Sequence, residues 1–164
     1  MISVTDVGAE PRRGRGHSQP RRIGLVGCVK EKAESPQPAR DLYRSALFAG
    51  RRAYVERSCG QWWILSAKNG LVHPLNALAP YDETLKLASR SARRRWSHEV
   101  LTTLDERVIP AAGDIVEIHA GADYRDYGLV QGLGDRGCVV EIPSAGMAIG
   151  EQLRFYKRAQ EAVR

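Results

Sequence analysis

The chain has little with which to cross-link itself or to enter lipid. Its three cysteines, Cys28, Cys59 and Cys138, are odd in number and show no C-x-x-C spacing. Such a sparse set builds neither a disulfide framework nor a zinc site, so each is expected as a reduced thiol and no metal centre is expected. No apolar run approaches the roughly 18 residues of a membrane span, and the amino-terminal segment has no continuous apolar stretch of the kind a secretory signal needs. The expectation is a cytoplasmic protein with no membrane partner.

What is present fits one globular unit. A chain of 164 residues with 43% hydrophobic and 27% charged residues lies near globular averages, and a domain near 150 residues buries roughly 70% of the surface its unfolded chain exposes. The formal net charge is +6, which favours polyanionic partners through counterion release. Much of that excess sits at the start, where Arg12, Arg13, Arg15, Arg21 and Arg22 outnumber Asp6 and Glu10. Residues 1–21 lack periodicity and read as a disordered basic tail, followed by an α/β domain over 22–164.

Apolar runs and periodicity then alternate. Ile23 to Cys28 (IGLVGC) suits a strand buried on both faces, and Ala39 to Arg57 has helical spacing through Leu42, Ala46, Ala53 and Tyr54, with a break expected near Gly50. Gln61 to Ser66 (QWWILS) is a second strand, and Glu83 to Val108 a long helix with Leu85, Ala88, Trp96, Val100 and Leu104 on one face. Ile115 to Ala120 and Cys138 to Ile142 are further strands, with helices expected over Tyr124 to Leu133 and Ile149 to Val163. Alternation of this kind implies a single three-layer α/β domain, its central, mostly parallel sheet of about four strands flanked by helices. Ligands then bind beyond the carboxyl ends of the strands, where strand order reverses.

Four loops meet that description. The first carries Cys28, Lys30 and Lys32, with Tyr43 and Ser45 nearby; it has neither the dinucleotide fingerprint nor a P-loop, which argues against familiar dehydrogenase or ATPase chemistry and against a bound cofactor. Cys28 reads as a buried strand-end hydrophobe or as a nucleophile. The second, Ser66-Ala67-Lys68-Asn69-Gly70, is the most polar junction. Gly70 can adopt positive φ and turn backbone N–H groups toward a ligand; Ser66 and Lys68 can pair as nucleophile and base, or Ser66, Lys68 and Asn69 can anchor a phosphate or base edge, or the Asn-Gly pair can simply form a turn. Beyond it, Asp82 is either a helix N-cap or a carboxylate that stabilises a cationic sugar, and Tyr81 is placed to stack on a base.

The third loop offers His119, Gly121, Asp123 and Tyr124. His119 is a titratable donor or a structural histidine, while Gly121 leaves room for an anion at the next helix N-terminus. The fourth, from Pro143 to Gln152, reads as a wall or lid. Arg90, Arg93, Arg94 and Arg95 on the long helix form a solvated face or a contact to a nucleic-acid backbone.

At these loops the chain resembles the bacterial and phage domains grouped with YaaA-like peroxide-stress proteins, which share a uracil-DNA glycosylase-like α/β arrangement. The resemblance covers about residues 22 to 156 and is carried by LVGCVKEKAESPQPARDLYRSALF, WWILSAKNGLVHP, APYDETL, HAGADY and IPSAGMAIGEQL. It implies association with DNA or with nucleobase and nucleotide chemistry, and transfers no catalytic set. The leading expectation is an N-glycosidase in which Asp82 stabilises an oxocarbenium-like sugar, His119 or Asn69 bonds the leaving base, Lys30 and Lys68 hold phosphate, and Tyr43 or Tyr81 stacks. The competing expectations are a non-catalytic nucleic-acid-binding stress or defence protein and a nucleotide sensor.

Overall fold

A computed structural model describes residues 19–162; most of the expected basic tail lies outside them. The chain runs β1 (Arg22–Gly27), β2 (Gln37–Pro38), α1 (Ala39–Leu42), α2 (Ala46–Ser58), β3 (Gln61–Ser66), β4 (Gly70–Val72), β5 (Ala77–Leu78), a 3-10 turn (Leu85–Leu87), α3 (Arg90–Arg107), β6 (Ile115–His119), α4 (Ala122–Arg125), α5 (Leu129–Asp135), β7 (Val139–Glu141) and α6 (Ile149–Glu161).

The main sheet has five strands in the order β4-β3-β1-β6-β7. The four strands read from the sequence are all there and mutually parallel, with β1 at the centre between β3 and β6. The fifth, β4, folds back antiparallel on β3 and pairs Ser66 with Gly70. Gly70 has φ +68° at that turn, the conformation for which glycine carries no steric cost. The Ser66 to Gly70 segment is therefore the tip of a β-hairpin, and Gly70 serves that turn and lies buried.

Strand side chains divide by parity. Ile23 and Leu25 of β1, Trp63 and Leu65 of β3, and Val116 and Ile118 of β6 join Trp96, Val100, Leu104, Leu129 and Leu133 in one core layer under α3 and α5. Val26, Ile64 and Val72 face the other way, against Ala39, Leu42, Phe48 and Val55 of α1 and α2. Helices on both faces of a parallel sheet complete the three-layer α/β domain.

Three expected helices break, two of them where a side chain caps a new start. The segment over 39–57 splits at Tyr43, which becomes extended and bridges Lys32, and not at Gly50; Ser45 then caps α2 by accepting from the Phe48 N–H at 3.0 Å. The segment over 83–108 splits into the 3-10 turn, capped by Thr84, and α3, capped by Ser89. Asp82 caps neither. The segment over 124–133 divides into α4 and α5. At the other end of the sheet, Arg21 is no part of a tail: its guanidinium grips Asp114 at 2.8 Å and the carbonyls of Val108 and Ile109.

Candidate functional site at the strand ends

The carboxyl ends of β1, β3 and β6 lie side by side, and β1 sits where the chain's progress across the sheet reverses: β3 is added on one side of it, β6 and β7 on the other. Such a reversal opens a crevice between the diverging loops. Here it falls between β1 and β6, and its floor begins at Cys28.

Cys28 is half-buried. Its sulfur receives the Ala67 N–H at 3.4 Å from the end of β3 and lies 3.2 Å from the Tyr124 hydroxyl on α4. One thiol thus ties three strand-end segments together. Beside it runs a chain of hydroxyls. The Asn69 N–H and side-chain amide donate to Ser66 Oγ at 3.0 and 3.3 Å, Ser66 donates to the Tyr81 hydroxyl at 2.8 Å, and Tyr81 and Tyr43 share a bond of 2.7 Å. Trp96 Nε1 donates to the Ser66 carbonyl at 2.9 Å and places its ring edge-on to Tyr124. Burial pushes the Tyr43 phenol up to about 12 against the pull of its bond to Tyr81. Burial, with Cys28 close by, raises Tyr81 and Tyr124 as well. All three phenols remain protonated donors at neutral pH.

Lys32 Nζ stands 4.4 Å from the centre of the Tyr81 ring and donates to the Lys30 carbonyl at 3.1 Å. The cation that reaches this cluster is therefore Lys32, whereas Lys30 and Lys68 point into solvent. Tyr43 and Tyr81 are too deeply buried to offer a stacking face. Tyr124 is the half-exposed ring of the set.

The structure separates the residues expected to do chemistry. Asp82 is exposed and has no hydrogen-bond partner among the described residues, although it follows Tyr81 directly. His119 is fully buried and belongs to a different network, on the α2 and α6 side of the sheet. Its Nε2 lies 3.0 Å from Glu117 Oε1 and its Nδ1 lies 2.7 Å from the Tyr156 hydroxyl. A carboxylate only accepts, so Nε2 carries the proton and Nδ1 accepts from Tyr156. Burial holds His119 below the ordinary histidine range despite the pull of Glu117. Burial works against ionisation of Glu117 too, yet bonds from His119 and Arg22 bring it down to about 2. A neutral imidazole between a carboxylate and a phenol, sealed from solvent, braces α6 against β6. Gly121 precedes α4 and is exposed, and Ser45 is used as the α2 cap.

A family model matches residues 23–158, which takes in every strand of the main sheet and nearly all of α6. The chain belongs to the DUF6884 family, a family of unknown function. No curated protein and no solved structure matches it.

In this DUF6884 domain two further features escaped the reading by motif. Arg51, on α2, is 6% exposed, and its Nε has no hydrogen-bond partner among the described residues. A helix position midway between apolar neighbours gives no signal that its arginine turns inward. The second is a glycine pattern, Gly132-Leu133-Gly134-Asp135-Arg136-Gly137, which has the spacing of the dinucleotide fingerprint. It lies at the end of α5 and leads into β7. That is the reverse of the strand-to-helix order the fingerprint requires, so it does not cradle a pyrophosphate.

Two clefts of the described surface are lined by neither Cys28 nor Tyr124. One runs between Tyr54 of α2 and Met147, which precedes α6, with Arg154, Phe155 and Arg158 along α6. Another is basic, formed by Arg90 and Arg94 at the start of α3 with Asp126, Tyr127 and Gly128. Among the described residues no group of acidic, cysteine and histidine side chains is disposed to hold a metal ion, and no helix is long and apolar enough to cross a membrane.

Proposed function

We propose that the strand-end crevice binds a nucleotide or its nucleobase, and that this DUF6884 domain acts in nucleotide or nucleic-acid chemistry as an N-glycosidase, in keeping with its likeness to YaaA-like domains. The observation that supports this is the convergence of Cys28, Ala67 and Tyr124 at the reversal point of the sheet, with protonated phenols and Lys32 around them. The Cys28 thiol, the half-exposed Tyr124 ring with its hydroxyl and the Lys32 ammonium suit a flat heterocycle with polar groups on its edge.

Cleavage of a base–sugar bond needs a carboxylate to balance the developing positive charge on the sugar. Asp82, at the rim next to Tyr81, is the acid available to a ligand seated there. His119 is left out of the reaction because its two nitrogens are already engaged. The test is to incubate the purified chain with nucleosides, nucleotides and base-damaged oligonucleotides, following free base by chromatography and binding by calorimetry. Saturable binding with base release, and a drop in release of about 100-fold or more in Asp82→Asn with binding retained, is the expected result. Binding without release refutes the enzyme and leaves a nucleotide sensor; no binding refutes the site.

A second reading draws on the cleft of Arg90, Arg94 and Tyr127. Two unpaired guanidinium groups beside an aromatic ring suit the backbone of a nucleic acid without any chemistry.

A further inference from the structure

Arg51 sits where α2 meets α6. It rises from α2 opposite the first turn of α6, where its Nη2 donates to Gln152 Oε1 at 3.1 Å. Gln152 is held in turn by its own bond to the Met147 carbonyl at 3.0 Å. The Tyr156 hydroxyl is a hydrogen-bonding neighbour of the guanidinium, and Cys28 and Tyr124 lie further off within electrostatic reach. His119 faces it as well, neutral and locked to Glu117. The one nearby buried carboxylate, Glu117, is already engaged by Arg22 and His119. Arg51 has no salt-bridge partner among the described residues, and its Nε–H points at nothing.

A guanidinium removed from water with neither a counter-charge nor a full set of acceptors is costly unless an anion completes it. Two features of the surroundings favour an anion there. The amino end of α6 has no side-chain cap at Ala148, so its first N–H groups are unclaimed and add the positive end of a helix dipole. Tyr124 supplies a phenol that remains a donor at neutral pH. Glu151 in the first turn of α6 is exposed and directed to solvent.

We propose that Arg51, with Tyr124 and the first turn of α6, forms a binding site for the terminal phosphate of a small phosphorylated ligand. A guanidinium offers paired N–H donors that match phosphoryl oxygens, which a lysine cannot reproduce. The depth of Arg51 selects a terminal monoester over the backbone of a duplex, whose phosphates are flanked by sugars on both sides. The site rests on the nucleotide reading only for the identity of what the phosphate is attached to.

The test uses the full-length chain, with inorganic phosphate, a nucleoside monophosphate and the matching nucleoside as probes, in calorimetry and thermal melts at constant ionic strength. Inorganic phosphate is expected to raise the melting midpoint and to bind at one site, and the monophosphate to bind about ten-fold or more tightly than the nucleoside. Arg51→Met, close in volume and uncharged, is expected to melt no lower than the parent without phosphate, and to lose the response to phosphate. Arg51→Lys should keep the charge and recover only part of the binding. Phosphate binding that survives in Arg51→Met, or is missing from the parent, overturns the site. Should the nucleoside bind while phosphate does not, this inference fails and the crevice reading stands; should phosphate bind while no nucleoside does, the reverse holds.

Discussion

Glu117 and His119 form the part of the interior most exposed to a change of pH, although neither touches solvent. The carboxylate of Glu117 is held near 2, below its ordinary value of 4.5, because His119 and Arg22 outweigh the effect of burial. Below about pH 4.5 the unfolded chain takes up a proton that the folded chain refuses, so the stabilisation from Glu117 is complete above that pH and is lost as the pH falls toward 2. His119, lowered by burial, acts in the same direction from a higher starting point: once the pH drops below about 6.5 the unfolded histidine binds a proton and the folded one does not. Melting midpoints should therefore begin to fall below about pH 6.5 and fall more steeply below 4.5. Glu117→Gln should cost about 2–3 kcal/mol at neutral pH and remove the lower step. A midpoint that stays level from pH 7 to pH 4 would contradict this account.

At single positions the sequence named several partners and missed their roles. Cys28, Ser66, Tyr81 and Tyr124, singled out at the loops, lie together at the strand ends. Strand order tells which loops meet, and the ends of apolar runs can be seen in the sequence. The direction of each side chain is another matter. Whether His119 points out over the sheet edge or back under α6 depends on the parity of β6 and on Tyr156, which is 37 residues away. Arg51 stayed hidden for the same reason: an arginine pair in an amphipathic stretch reads as surface, and only the position of α6 shows Arg51 to be covered.

Between elements, α2 and α6 make a close joint. A Cβ added at Gly50 would stand 2.8 Å from Tyr156 Cβ, an atom so close to the α6 backbone that the whole helix would have to move. Helix propensity on its own favours Gly50→Ala by about 1 kcal/mol. The overlap should outweigh that gain, at about 1–3 kcal/mol, giving a lower melting midpoint and faster amide exchange in α6 and weakening the contact of Gln152 with Arg51. A higher midpoint would show that α6 is loosely seated. Glycine at position 50 is read in the sequence as a weak point in a helix, whereas it is where two helices touch. The element boundaries that went astray did so through caps: Ser45, Thr84 and Ser89 each stop or start a helix by accepting a backbone N–H, and apolar spacing passes over such residues without a mark. Of the strands missed, β2, β4 and β5, only β4 joins the main sheet, and it is three residues long. Its one signal is the Asn69-Gly70 pair, a common hairpin turn.

The molecule as a whole presents a positive surface with a net charge of +6, and charge of that kind attracts nucleic acid whether or not a specific site exists. The cleft at Arg90 and Arg94 separates the two possibilities. If a nucleic-acid backbone docks there, Arg90→Ser with Arg94→Ser should weaken oligonucleotide binding and reduce its dependence on salt by about two counterions, while mononucleotide binding in the crevice is unchanged. An unaltered salt slope would assign the attraction to diffuse charge. The parallel sheet under both sites was the most legible property of the sequence, since alternation of apolar runs with helical periodicity survives errors of several residues at every boundary.

The latch between Arg21 and Asp114 bears on how the protein can be handled. It fastens the chain at the amino ends of the strands, away from Cys28 and Tyr124, and α6 runs back toward that same edge. A tag, a surface linker or a fused reporter joined at the amino end of the described chain therefore leaves from the rear, and the strand-end loops of a tethered molecule stay open to the solution.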